Sequence, residues 1–202
     1  MCSIAGLYSK KLNKDSLYSL IKKMNNILSH RGPDNSTIYL DKNTIFSMGM
    51  NRLSIMDINS GDQPFISEDG RYVLIFNGEI INAEQIKKEL IKKDIIFKSN
   101  SSDTEVLFNY LIYMDGLNNL QKLNGMFAFA FYDSFKKDLF LVRDRFGIKP
   151  LFYYMENNEI CFASEIKAIK RVLNKELQLN KKSISEYFSL MYITDNKTIY
   201  KD

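Results

Sequence analysis

The residues with the most chemical reach start at the second position. Cys2 follows the initiating methionine, so loss of Met1 would leave a thiol and a free α-amine on one residue. An α-amine titrates near about 8 and a thiol near about 8.5, close enough to exchange a proton around neutral pH. A terminal amine can act as base for its own side-chain nucleophile. That chemistry needs no histidine, which suits a chain whose only one is His30. The competing reading is a small buried hydrophobe, the commonest fate of a free cysteine, and by position alone it is the stronger. Cys161, inside a strand pattern, is expected in the core.

Three further places could serve acyl transfer. Asn77-Gly78 offers a side-chain amide and a glycine N–H that could share one developing oxyanion. The same dipeptide is also a strong signal for a tight hairpin turn, and taken alone the turn is favoured. Arg52, flanked by apolar residues after a strand, could grip a carboxylate through two parallel hydrogen bonds. It could equally make a structural ion pair with Asp57 or a neighbour. Asp103 falls in the first turn of a capped helix, where the helix dipole favours a carboxylate anyway. It becomes functional only if a cation must be held there.

Composition excludes several classes. With 45% hydrophobic residues, 13% aromatic and a net charge of +4, the chain reads as an ordinary folded domain. Its longest purely apolar run, Met126 to Tyr132, is far short of the roughly 20 residues a spanning helix needs. No basic segment precedes an apolar one at the start, so a cytoplasmic location is the default. Two cysteines and one histidine give no zinc pattern or disulfide framework, and no metal site is expected. The lysine pairs at 22–23, 87–88 and 92–93 read as solvated helix faces, so no nucleic-acid partner is expected. Arg143 to Pro150 reads as a polar turn with internal ion pairs. No P-loop or GxGxxG spacing supports a nucleotide.

These residues need elements to position them. Ser3 to Tyr8 is expected as a strand, followed by a helix that Asp15 caps, with Leu17, Leu20, Ile21, Met24, Ile27 and Leu28 on one face. The helix stops at His30-Arg-Gly-Pro-Asp34, because the residue before proline is pushed out of the α region. Strands follow near 36–40, 44–50 and 72–76. A helix over 84–93 precedes a second one opened by a capping box, Ser102 to Glu105. Strands return at 127–132, 139–143, 151–154 and 160–163. Phe127, Phe129 and Phe131 alternate with Ala128, Ala130 and Tyr132, so both faces of that strand are expected to be covered. Helices at 165–173 and 183–191 follow, and 198–202 resembles a strand without a partner. The order predicts an α+β fold of antiparallel sheets with helices outside.

Individually weak, the signals become specific through their order. Cys2-Ser-Ile-Ala-Gly6, Arg31-Gly-Pro-Asp34, Arg52-Leu-Ser-Ile-Met56, Gln63-Pro64, Asn77-Gly-Glu79 and Ser102-Asp103 run in sequence. Leu123 to Ala128, Arg143 to Pro150 and Ala163-Ser-Glu-Ile-Lys-Ala168 follow. Together they resemble the N-terminal glutaminase domain of glutamine-hydrolysing asparagine synthetases, a class II glutamine amidotransferase of the N-terminal-nucleophile hydrolase superfamily. The resemblance covers essentially the whole chain.

The resemblance implies a four-layer αββα sandwich in which Met1 is removed and Cys2 attacks the side-chain amide of L-glutamine. A γ-glutamyl thioester, released ammonia and then glutamate would follow. Carried over by motif, Arg52 would hold the substrate α-carboxylate and Asp103 its α-ammonium, with Glu79 assisting at the amino group. Asn77 and Gly78 would form the oxyanion hole, and the backbone of Leu53, Ser54, Ile55 and Met56 would line the pocket. Arg31 would order a loop closing over the site.

Residues 1–180 are expected to be the amidotransferase domain and 181–202 a helix leading towards a synthetase domain. No cofactor is expected in this chain. ATP and magnesium would belong to that synthetase domain, whose Ser-Gly-Gly-x-Asp-Ser loop this sequence lacks. The expected partners are glutamine and a C-terminal or separate ATP-dependent synthetase domain, with a homodimer left open. Two alternatives stay open: an amino-sugar, purine-precursor or surface-polysaccharide acceptor for the ammonia, and a non-catalytic glutamine-binding or assembly module. Ile81 stands where many relatives place tyrosine.

Overall fold

A computed structural model describes residues 1–42, 45–54, 61–173 and 175–201. Two antiparallel sheets are stacked face to face. The first contains β1 (Ser3–Tyr8), β2 (Asn35–Leu40), β3 (Phe46–Arg52), β8 (Phe152–Glu156) and β9 (Glu159–Ala163), in the order β2-β3-β1-β9-β8. The second contains β4 (Phe65–Ile66), β5 (Tyr72–Ile80), β6 (Gly125–Asp133) and β7 (Asp138–Arg143), in chain order. Helices α1 (Lys14–Leu28) and α4 (Ile166–Val172) cover the first sheet. Helices α2 (Ala83–Ile91) and α3 (Asp103–Tyr113) cover the second, and α5 (Lys181–Leu190) lies near the C-terminal end. The result is the expected αββα sandwich.

Three apolar layers follow from strand alternation, because successive side chains point to opposite faces. Ile4, Met48, Met50, Val73, Ile75, Ala128, Ala130, Tyr132 and Phe162 fill the space between the sheets. Phe127, Phe129 and Phe131 turn the other way, onto Val106, Leu107 and Leu111 of α3 and Ile86 and Leu90 of α2. Ala5, Leu7 and Ala163 meet Leu17, Ile21, Met24 and Leu28 of α1. The two faces expected for β6 are both covered. Cys161 is buried in the layer beneath α1, and burial pushes its thiol up to about 12.

Local expectations needed correction. Asn13, not Asp15, caps α1: its backbone is extended and its side chain accepts from the Ser16 N–H at 2.9 Å, which leaves Asp15 within the first turn. The capping box on α3 is half made. Ser102 accepts from the Glu105 N–H, but the Glu105 carboxylate turns back to the Lys98 and Ser99 N–H groups, both at 2.8 Å. The C-terminal strand-like segment has a partner, since Tyr200 bridges Leu179 in antiparallel sense.

The Arg143–Pro150 turn is organised by backbone bonds rather than internal ion pairs. The Asp144 carboxylate accepts from the N–H groups of Phe127, Phe146, Ile148 and Lys149, while Arg143 donates to the carbonyls of Gly147 and Lys149. Burial works against the charge on Asp144, and the four N–H donors outweigh it, holding the carboxyl below its usual range. Among the described residues no helix is long and apolar enough to cross a membrane.

Candidate active site

The Asn77-Gly78 dipeptide is not a turn. It lies inside β5, which runs four residues beyond the expected end, with Asn77 opposite Ala128 and Gly78 opposite Phe127. A hairpin turn would put this pair at a chain reversal. Instead the pairing with β6 continues through it, and the reversal expected there does not occur. A Cβ on residue 78 would run into the Met126 carbonyl and come within 2.7 Å of the Phe127 Cα. Glycine is therefore required by the close approach of β6.

Cys2 stands at the opposite sheet. Ser3 pairs with Asn51, which brings the preceding residue alongside the end of β3. There the Leu53 N–H points at the Cys2 Sγ across 3.4 Å, and the Leu53 carbonyl lies 3.7 Å from the same sulfur. The thiol is thus held between a donor and an acceptor of one residue, and it is only half-buried. Behind it, Arg31 Nε donates to the Cys2 carbonyl at 3.1 Å.

Arg31 is itself held. Its NH1 donates to Glu165 at 3.1 Å, and the same carboxylate meets His30 Nε2 and Lys167 Nζ at 2.9 Å each. Burial would raise the Glu165 carboxyl, but hydrogen bonds from Lys167, Arg31 and His30 bring it down to about 2. The neighbouring Ser164 exchanges two hydrogen bonds with Ile4, both 2.9 Å, which fixes the start of β1 against the end of β9.

Cys2, Arg52, Leu53, Asn77, Gly78, Glu79 and Asp103 line one open cleft of about 150 Å³, joined by Met1. Arg52 comes from the end of β3. Its side chain is 7% exposed and donates to Asp62 at 2.9 Å. Asp103 opens α3, where Ser102 caps the helix, and its Oδ2 accepts from the Ile80 N–H at 2.9 Å. Burial raises the Asp103 carboxyl above its ordinary value, more than the N–H groups of Ile80 and Thr104 lower it. The cleft therefore offers fixed charges of both signs from different layers.

The amide nitrogen of Asn77 is buried and has no hydrogen-bond partner among the described residues. Such a group costs free energy unless something else satisfies it.

Ser54 stands just outside the lining, where its N–H donates to Asp34 at 2.7 Å. Ile55 and Met56, expected along the pocket, and Asp57, the alternative partner of Arg52, lie outside the described residues. Gln63 and Lys149 are among the lining residues that had no role assigned from sequence. Gln63 was visible only as part of a motif, and Lys149 only as part of the polar turn. Glu165 likewise stood in a quoted motif with nothing in its own surroundings to mark it.

Cys2, just ahead of the central strand of one sheet, and the amide-glycine pair in the other sheet thus open onto one cleft of a two-sheet αββα fold. The fold agrees with solved structures. A glutamine phosphoribosylpyrophosphate amidotransferase from B. subtilis, complexed with ADP and GMP, superimposes with a TM-score of 0.67 at 23% identity, covering 85% of this chain and 43% of that one. A structure described as the allosteric regulatory enzyme of purine biosynthesis gives 0.70 at 22% identity, with the same coverage of each chain.

The family model for the glutamine amidotransferase domain matches residues 1–202, and the chain belongs to that family. Among curated relatives, asparagine synthetase [glutamine-hydrolyzing] 1 of Bacillus subtilis (strain 168) is 37% identical over 98% of this chain and 31% of its own length. Asparagine synthetase B [glutamine-hydrolyzing] of Escherichia coli (strain K12) is 40% identical over 84% of this chain and 30% of its own. A putative asparagine synthetase [glutamine-hydrolyzing] 2 of Methanocaldococcus jannaschii is 34% identical over the whole chain and 42% of its own. The chain thus spans about a third of the length of these relatives.

Proposed function

We propose that this chain hydrolyses L-glutamine to glutamate and ammonia through Cys2, and that the ammonia serves ATP-dependent conversion of aspartate to asparagine. The observation that carries the first part is Asn77 Nδ2, a buried donor without a partner among the described residues, in the same cleft as Cys2. An oxyanion forming on a bound amide would satisfy it. The second part is supported by relatives, 34–40% identical, whose names are those of glutamine-hydrolysing asparagine synthetases.

After loss of Met1 the freed α-amine takes the thiol proton, and the sulfur attacks the glutamine side-chain carbonyl carbon. The carbonyl oxygen gains the electron pair and is held by Asn77 Nδ2 and the Gly78 N–H. Collapse breaks the C–N bond, and the amine returns its proton to the departing nitrogen, which leaves as ammonia. Water then attacks the thioester carbonyl, the C–S bond breaks, and glutamate departs as the thiol is restored.

Arg52 holds the substrate α-carboxylate, Asp103 and Glu79 its ammonium, and the backbone from Leu53 onward closes the pocket wall. Free glutamine carries one charge of each sign, so a site for it needs one fixed group of each opposite sign. This sequence of steps requires no cofactor. Residues 1–180 form the glutaminase unit, and 181–202 lead towards a synthetase domain that uses ATP and magnesium, in a cytoplasmic enzyme. The greater length of the curated relatives supports that arrangement.

The test is direct. Intact-mass measurement of the purified chain should show Met1 missing, and glutamine should be turned over to glutamate. Cys2→Ala should abolish that turnover while the variant still binds glutamine. Hydrolysis that survives the substitution refutes the mechanism.

A further inference from the structure

Strand β5 carries the amide-glycine pair, and its two sides are supported unequally. Towards β6 it is paired along its whole length, Tyr72 to Ile80. Towards β4 the ladder covers only Val73 and Leu74, opposite Ile66 and Phe65. Continued by two residues, that register would bring Gln63 opposite Phe76. The backbone ladder stops short of that pair. Phe76, 2% exposed, would be left there with a buried N–H and a buried C=O, a costly pair to leave unmade.

The Gln63 side chain takes the place of the missing strand. Its Oε1 accepts from the Phe76 N–H at 2.6 Å, and its Nε2 donates to the Phe76 carbonyl at 3.1 Å. Only a carboxamide presents one acceptor and one donor side by side. A carboxylate would set a second negative oxygen against the Phe76 carbonyl, and a thioether would satisfy neither group. Meanwhile the Gln63 main chain is tied to the other sheet, where Thr37 of β2 donates its hydroxyl to the Gln63 carbonyl at 2.7 Å. Asp62, the preceding residue, accepts from Asn35 of β2 and Arg52 of β3. Gln63 is 7% exposed and lines the cleft.

We infer that Gln63 is a positioning residue for the oxyanion hole, a strut that joins the sheet carrying Cys2 to the strand carrying Asn77 and Gly78. One end of it fixes the residue directly before Asn77. The other end is anchored beside β2 and β3. It therefore sets the separation between the attacking sulfur and the donors that must receive the oxyanion. Donor placement matters in the transition state more than in the bound substrate, and a misplacement of about 1 Å can cost about 100-fold. The inference rests on the glutaminase reading above.

The experiment compares the full chain with Gln63→Met and Gln63→Glu, both close to glutamine in length. Glutamine turnover is measured together with inhibition by L-glutamate γ-semialdehyde and by L-glutamate. The aldehyde adds to the thiol and presents a tetrahedral oxygen to the hole, whereas glutamate only occupies the pocket.

The expected result is a kcat lower by about 10- to 100-fold, a KM within about twofold of wild type, aldehyde inhibition weakened in parallel with kcat, and glutamate inhibition unchanged. Loss of folded protein alone would leave the ratio of aldehyde to glutamate affinity where it was. Backbone amide exchange at residues 76–78 should quicken at least tenfold in Gln63→Met, with β6 beyond Ala128 unaffected. If the variants keep wild-type kcat and aldehyde affinity, the strut is refuted. If wild type itself turns over no glutamine, the glutaminase reading falls and the hole with it. The exchange rates then judge the cross-sheet clamp by themselves, and unchanged rates refute that too.

Discussion

Arg31 Nε lies 3.1 Å from the backbone carbonyl of Cys2, so Cys2 is gripped through its main chain as well as at its sulfur, which sits between the N–H and carbonyl of Leu53. The peptide plane after Cys2 is the frame from which both the sulfur and the α-nitrogen hang. Holding its oxygen restricts rotation about the bond that swings them. Glu165 holds the other end of the guanidinium at 3.1 Å, and the Ser164–Ile4 bonds keep that segment against β1.

Replacing Arg31 with glutamine should therefore lower kcat more than it raises KM. A charge-assisted hydrogen bond is worth about 1.5–3 kcal/mol, which corresponds to roughly a 10- to 100-fold loss in kcat/KM. Steady-state glutaminase kinetics would check this. A loss confined to KM would mean that Arg31 acts on the substrate instead of the nucleophile.

Asn77→Ala removes the unpartnered amide and should lower kcat by about 100-fold or more, as loss of one oxyanion donor commonly does. The thermal midpoint should not fall, because no protein hydrogen bond of that nitrogen is lost. Gly78→Ala should behave in the opposite way: its Cβ enters the β6 backbone, so the thermal midpoint drops along with activity. Scanning calorimetry beside the kinetic assay separates the two.

The two shifted carboxyls give opposite responses to acid. Asp103 is raised by burial, so its native state holds a proton more tightly than the unfolded chain does, and acidification through that range relieves a folding penalty. On the proposed reading, in which Asp103 holds the substrate ammonium, that grip is lost over the same range, so KM for glutamine should rise on acidification before an ordinary aspartate would protonate. Asp103→Asn should raise KM about tenfold or more and abolish that dependence.

Glu165 runs the other way. Its native carboxyl lies at about 2 against an ordinary 4.5, so the stability it contributes is complete above about 4.5 and is lost as pH falls towards 2. By linkage the loss is on the order of 3 kcal/mol. Denaturant titrations of wild type and Glu165→Gln at pH 6, 4 and 3 should converge as acid is added.

Much of this molecule is written locally. The alternation through Phe127–Tyr132 requires a strand covered on both faces, because side chains on a pleat must point to opposite sides. The apolar stripe from Leu17 to Leu28 requires a helix, because those spacings fall on one face only at its period. The ordered motifs, from Cys2 to Ala168, identify the family and name Arg52, Asn77, Gly78, Glu79 and Asp103 as a set.

The tertiary structure alone decided what local chemistry could not. Asn77-Gly78 has the composition of a turn, and it is a strand because β6 lies too close for any side chain at residue 78 and pairs with both residues. Asp15 has the composition of a cap, and Asn13 performs that role because its backbone is the one outside the helix. Gln63, Arg31 and Glu165 stand in quoted motifs, but nothing local gives the contacts they make. Their partners stand 13, 29 and 134 residues away in the chain, and a hydrogen bond between distant segments exists only once two sheets have been stacked to bring its ends together.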